Sequence, residues 1–191
     1  MKVSISKKNK KVHCPNISLT PIASCANSKV CSKGCYAVKA YRQYPNVRTA
    51  WDRNFTLAMN DPAEYFNQIH EYLLKHKPRM FRWHVAGDIL NQQYLEYMID
   101  IASNLPDIKF LCFTKRYDLI YRLNEIPKNL SIVMSCWPGM PLPKQKLPRA
   151  FLQNGTEKRV KNALECQGTC ENCGMCWHLG ELKKNVVFHK H

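Results

Sequence analysis

Ten cysteines are the residues of this chain best equipped for chemistry. Four of them, Cys166, Cys170, Cys173 and Cys176, fall in the run ECQGTCENCGMCW, with Gly168 and Gly174 between them to permit tight turns. Thiolates so closely spaced can converge on one compact metal centre. A Cys-x2-Cys-x2-Cys run is the spacing of cysteines that hold cubane iron–sulfur clusters. A single zinc ion more often draws on two Cys-x2-Cys knuckles set apart, because a tetrahedral site needs two opposed pairs. The first expectation is therefore an iron–sulfur cluster of the 4Fe–4S type, with zinc as the alternative and disulfides or free thiols third.

A second group, Cys14, Cys25, Cys31 and Cys35, lies near the start of the chain, while Cys112 and Cys136 stand alone. A lone cysteine in an apolar strand reads as a small buried hydrophobe. An even cysteine count is also what a disulfide framework would show. Against that, the opening MKVSISKKNKK is polar and basic where a signal segment would be apolar. A chain of 191 residues can also bury a core without covalent staples. Thiols in a reducing cytosol favour metal, so Cys14, Cys25, Cys31, Cys35, Cys166, Cys170, Cys173 and Cys176 are the expected ligands. Whether they form two sites or meet around one is open at this stage.

Charge points to a partner. Lys and Arg number 29 against 14 Asp and Glu, a formal net charge of +15. Such an excess suits a polyanion, with DNA or RNA first. The cations are dispersed, in groups such as Lys7, Lys8, Lys10 and Lys11, then Arg42, Arg48 and Arg53, and later Lys158, Arg159 and Lys161. No stripe can be drawn from them, and a generally basic, soluble surface explains them equally. No run is long and apolar enough to cross a membrane, so none is expected as a partner.

The elements that must position these groups follow from periodicity. Residues 1–45 read as irregular, punctuated by Pro and Cys. Asn46 can cap a helix over VRTAWDRNFTLAM, and Asp61-Pro62-Ala63-Glu64 is a second start with a cap, a Pro at the first helical position and a capping-box Glu. Strands are expected at Met80–Val85, Ile108–Thr114 and Leu130–Ser135, with a helix capped by Asn91 between the first two and a short helical piece at Tyr117–Leu123. Residues 137–150 read as a Pro-rich loop, Glu157–Leu164 as a helix, and NVVFH as an edge strand. Strands alternating with helices imply βαβ units. The expected fold is a single α/β domain over 1–191: a small, partial-barrel-like parallel sheet with cysteine-rich segments 14–35 and 166–176 packed onto it.

Ligands of parallel α/β sheets gather beyond the carboxyl ends of the strands. Those ends carry Ala86-Gly87-Asp88, Lys115-Arg116 and Cys136-Trp137. Asp88 and Lys115 are the candidate catalytic residues. The plainer alternative makes Gly87 a turn, Asp88 a helix cap and Lys115 a solvated cation. His84, inside a strand, reads as a hydrogen-bonded structural histidine rather than a ligand.

Cys31-Ser-Lys-Gly-Cys35-Tyr36-Ala37, the segment Tyr41-Arg42-x-Tyr44-Pro45-Asn46-Val47-Arg48, Arg82-Trp83-His84-Val85-Ala86-Gly87-Asp88 and the closing Cys176-Trp177 resemble the phage "gene product eighty-eight" family over nearly the whole chain. More remotely, the order of parts is similar to radical S-adenosylmethionine (SAM) enzymes. These place a cysteine motif early and a Gly-acid turn after a strand, which by this resemblance makes Gly87 and Asp88 SAM contacts. The radical-SAM spacing Cys-x3-Cys-x2-Cys is met only in its first half, since Val38 stands at the third position. Cys25-x5-Cys31-x3-Cys35 is a variant, Ala86-Gly87-Asp88 replaces Gly-Gly-Glu, and three strands leave little room for a full barrel. A cubane held by three cysteines leaves one iron open to substrate or SAM, and a fourth thiolate from Cys14 would close it. Two functions are thus expected: an open-cluster enzyme acting on nucleic acid, or a non-catalytic iron–sulfur or zinc protein that binds nucleic acid or a host protein.

Overall fold

Short apolar runs broken by polar turns build one parallel sheet, because each strand hands over to a crossover that returns the chain to the same edge. The computed structural model describes residues 1–7, 12–153, 160–170 and 173–189. Its strands are β1 (Met80–Trp83), β2 (Lys109–Thr114), β3 (Leu130–Cys136), β4 (Arg149–Gln153), β5 (Ala163–Glu165) and β6 (Asn185–His189). They lie in the order β1-β2-β3-β4-β6-β5, every neighbouring pair parallel. The helices are α1 (Tyr36–Gln43), α2 (Pro45–Asn60), α3 (Pro62–His76), α4 (Gln92–Asn104), α5 (Tyr117–Ile120) and α6 (Leu179–Leu182).

Capping chemistry acts where it was expected at two helix starts. The Asp61 carboxylate accepts the Glu64 amide at 3.0 Å with Pro62 first in α3, and the Asn91 side chain accepts the Tyr94 amide at 2.9 Å at the start of α4. Alternation then divides the sheet into two faces. Phe81, Trp83, Phe110, Cys112, Ile132 and Met134 meet α2, α3 and α4 through Leu57, Phe66, Ile69, Tyr94 and Met98. Leu111, Val133, Ala150 and Val186 look the other way, onto Val12, Cys14, Trp177 and Leu179.

The outer edge of β1 is not bare. Residues 15–19 run beside it: Arg82 N donates to Pro15 O, Ile17 N to Arg82 O, Val85 N to Ile17 O and Leu19 N to Ala86 O, at 2.9–3.2 Å. Buried Asn54 of α2 clamps this segment, its amide nitrogen donating to Ser4 O and Ser18 O and its oxygen accepting Ser4 N. Satisfying an edge in this way removes a row of orphan amides.

Several expectations are corrected. Helix α2 begins at Pro45 with Tyr44 at the cap position, so Asn46 is inside it: the ring of Pro45 supplies a preset helical φ at the first position. Residues 36–43, expected to be irregular, form α1. The Pro-rich loop ends at Arg149, where β4 begins, because β3 and β6 each offer it a pairing edge. Part of the helix expected over Glu157–Leu164 lies outside the described residues, and Ala163 and Leu164 belong instead to strand β5. Residues 185–189 are a strand, but β6 is inserted between β4 and β5 rather than at the edge. Lys8, Lys10, Lys11, Lys158 and Arg159 lie outside the described residues.

Candidate functional site

At the carboxyl edge of the sheet, three loops are stitched together. Leaving Leu19, the chain enters a loop tied by Thr20 to Asp52 (2.6 Å) and by the Ser24 hydroxyl to Thr20 O (2.6 Å). Two short 3-10 turns, Ser28–Val30 and Ser32–Gly34, then carry Cys31 and Cys35 to the start of α1. This loop packs directly on the turn after β1. Gly87 has φ +91°, and a Cβ there would stand 2.6 Å from Ser24 Oγ and 2.8 Å from Leu19 Cβ, so only glycine fits. The Tyr36 hydroxyl donates to Val85 O, and Asn27 donates to Lys115 O at 2.8 Å. Cys25, Cys31 and Cys35 are thereby brought to the ends of β1 and β2.

Asp88 lies beneath them. It is 1% exposed, and its oxygens accept the Thr114 hydroxyl (2.6 Å), the Ile89 amide (2.8 Å) and the Lys115 amide (3.0 Å). Burial raises its pKa, opposed by the Lys115 charge and by these donors. Lys115 is half-buried, with its ammonium 6.0 Å from the Trp137 ring centre. Burial works against that charge, but Asp88 and thiolates at Cys31, Cys25 and Cys35 outweigh it, so the Lys115 pKa is raised. Cys25 and Cys31 are pushed up by burial, and in both the Lys115 cation pulls the other way. One ammonium thus faces three thiols. Arg116, its neighbour in sequence, is spent on the fold: it pairs with Asp118 at 2.8 Å and donates to Ile89 O and Leu90 O.

The other thiols form a separate neighbourhood on the sheet's second face. Cys14, Cys166, Cys170 and Cys176 pack against the apolar cluster of Leu111, Val133, Trp177 and Leu179. The Trp177 indole donates to Phe81 O at 3.4 Å, and the Ser131 hydroxyl to Cys176 O at 3.0 Å. A cavity of about 230 Å³ opens here, lined by His13, Cys14, Met80, Cys170, Cys173, Gly174 and Trp177. Burial pushes Cys14 and Cys176 up to about 12, and the Arg82 cation offsets part of this in both. The two cysteine groups are therefore distinct, and Cys14 goes with the tail rather than with Cys25, Cys31 and Cys35. Among the described residues, no three His, Cys, Asp or Glu side chains are gathered closely enough to hold a metal ion as they stand.

The single cysteines behave as apolar packing. Cys112 is fully buried in the helix-side core, 3.7 Å from His84 Nδ1, and Cys136 is 5% exposed beside the Tyr117 hydroxyl. His84 lies just past the end of β1 with φ 52°, buried, its Nε2 3.0 Å from the Tyr94 hydroxyl, so it is a structural histidine. Three features were not legible in sequence. Arg82 alternates onto the second face and stands 5.1 Å from the Phe113 ring centre. The Tyr36 hydroxyl bonds across to Val85. Lys33, Lys39 and Arg42 line a groove of about 590 Å³ beside Cys35, a clustering that appears only when a 3-10 turn is set against α1.

These observations define an α/β protein with a six-stranded parallel sheet and a thiol-rich loop at its carboxyl edge. The family model described as Gene product 88 matches residues 2–138, and the chain belongs to that family. The match spans the N-terminal loop and β1 to β3 but stops before the cysteine-rich tail. No curated protein and no solved structure matches the chain. Among the described residues, no helix is long and apolar enough to cross a membrane.

Proposed function

We propose that the protein is a cytoplasmic iron–sulfur protein in which Cys25, Cys31 and Cys35 hold a 4Fe–4S cluster with one iron left open, acting as a radical-SAM-like enzyme on nucleic acid. The observation that supports this reading is that one loop carries Cys25, Cys31 and Cys35 to the carboxyl ends of β1 and β2, where Asn27 ties it to Lys115. Three soft donors beside a cation suit a cubane, whose thiolate-bound form is anionic. Cys25, Cys31 and Cys35 would hold such a cluster, which would supply one-electron chemistry toward SAM with electrons from an external reductant. Lys115 then meets the anionic group of the ligand. Asp88, walled off by its own hydrogen bonds, positions Lys115, and Gly87 lets the cysteine loop sit against the β1 turn.

The test is anaerobic reconstitution with iron and sulfide, followed by SAM and dithionite. Release of methionine and 5′-deoxyadenosine, lost in Cys31→Ser and Lys115→Ala, supports the reading; iron-loaded protein that leaves SAM intact overturns it. A second reading, a non-catalytic iron–sulfur or zinc module gripping nucleic acid, is favoured by the groove of Lys33, Lys39 and Arg42 beside Cys35. It is supported by salt-sensitive binding of DNA or RNA in protein that does not cleave SAM.

A further inference from the structure

We infer that Cys14 is a ligand of a second, thiolate-bound metal centre shared with Cys170, Cys173 and Cys176, whose thiols line one region without standing at ligating distance and would be drawn together by the metal, and that Arg82 is the cation balancing its negative charge. The inference rests on the metal reading of the tail and is independent of the reactive site around Lys115. Cys14 is far in sequence from the tail, yet its position is set rigidly. Residues 15–19 are hydrogen-bonded along β1, and the Asn16 side chain donates to Cys14 O at 2.9 Å. The thiol is thereby held on the second face, lining one cavity with Cys170 and Cys173. Cys176 lies in the same apolar cluster, anchored through its carbonyl to Ser131.

Arg82 supplies the second, independent observation. It projects to the same face of β1 as Met80, opposite Phe81 and Trp83. Its guanidinium lies against Phe113, itself packed on Phe188 at 5.8 Å between ring centres. Its Nε is buried with no hydrogen-bond partner, and none of the ion pairs among the described residues includes it. A buried N–H and a cation that no described carboxylate pairs, on the face of the sheet that carries these thiols, are complementary to a thiolate centre, whose sulfurs accept hydrogen bonds and whose total charge is negative. Met80, two residues before Arg82 and on the same face of β1, lines the cavity with Cys14, Cys170 and Cys173, so the guanidinium projects on that side of the sheet. On binding, each thiol releases its proton to solvent and the metal–sulfur bond forms without change of oxidation state.

Two chemistries share this donor set, zinc and an iron–sulfur cluster, and loading separates them. Full-length protein is prepared anaerobically and loaded either with zinc or with iron plus sulfide, and bound metal and sulfide per chain are measured. Cys14→Ser is expected to lose one centre's metal while the portion removed by Cys31→Ser stays. Cys14→His, which restores a zinc donor, is expected to recover zinc, a result that a merely misfolded Ser variant would not explain. In chelator competition, Arg82→Gln should hold the tail metal roughly 10-fold more weakly, with partial recovery in Arg82→Lys. Undiminished loading of Cys14→Ser overturns the inference, as does loss of the same metal from Cys14→Ser and Cys31→Ser. Tail metal that depends on Cys14 in a protein inert toward SAM would leave this centre standing and remove the reactive one.

Discussion

The two thiol groups occupy opposite kinds of surroundings. Cys25, Cys31 and Cys35 stand at the polar rim of the sheet, among Asn27, Lys115 and the buried Asp88, next to an open basic groove. Cys14 and the tail cysteines lie over the sheet's apolar second face, under Trp177 and Leu179, with Arg82 beside them. The contrast is one of polar against apolar surroundings. A rim site with an adjacent groove can admit a ligand, whereas thiols set into an apolar face tie a chain segment to the sheet. The family match covers the rim loop together with Cys14 and Arg82, and ends before the tail.

The largest effect expected to sharpen this difference comes from Trp177→Ala. Trp177 is 4% exposed, and removing so large a buried ring should cost about 3–5 kcal/mol. Thiol labelling should then rise at Cys14, Cys170 and Cys176 while Cys31 keeps its slow rate. Equal rises at both groups would break the distinction.

Gly87→Ala should disturb the opposite site. A φ of +91° and a Cβ 2.6 Å from Ser24 Oγ make the substitution cost about 1–3 kcal/mol. Labelling of Cys25 and Cys31 should speed up with the tail unaffected. A wild-type thermal midpoint would show that the rim loop is not packed on the β1 turn.

Acid should probe the shared scaffold. Burial lowers the His84 pKa from its ordinary value to about 3, with the Arg82 charge adding to the effect. The folded state therefore disfavours protonation that the unfolded chain accepts at about 6.5. The stability held by neutral His84 is complete above that value and falls as pH drops toward about 3, with a slope of at most ~1.4 kcal/mol per pH unit. His84→Asn, which tolerates the left-handed backbone, should flatten the pH dependence of the thermal midpoint in this window. An unchanged slope would remove His84 as its source.

The smallest effect concerns the groove. Replacing Lys33, Lys39 and Arg42 together by Gln should leave stability within about 0.5 kcal/mol, because all three are exposed. Any nucleic-acid affinity should weaken, with a salt slope shallower by up to about three contacts. If affinity persists with an identical slope, the groove is not the interface.

Local patterns were enough for much of this molecule. The capping of α3 and α4, the three strands β1 to β3 and the apolar role of Cys112 are decided within a few residues, by period and by side-chain chemistry near the backbone. Chain spacing alone already grouped Cys166 to Cys176. Strand β5 was misread as helix because three residues carry too little period to reveal a strand, and the β4–β6 pairing exists only between partners more than 30 residues apart. The association of Cys14 with the tail, the closeness of Gly87 to Ser24 and the placing of Arg82 on the second face depend likewise on residues 15–19 lying along β1. Sequence alone thus determined where the thiols fall along the chain and the class of sheet beneath them. Tertiary structure decided which thiols are neighbours, because a sheet edge and its two faces are created by long-range pairing that no local spacing records.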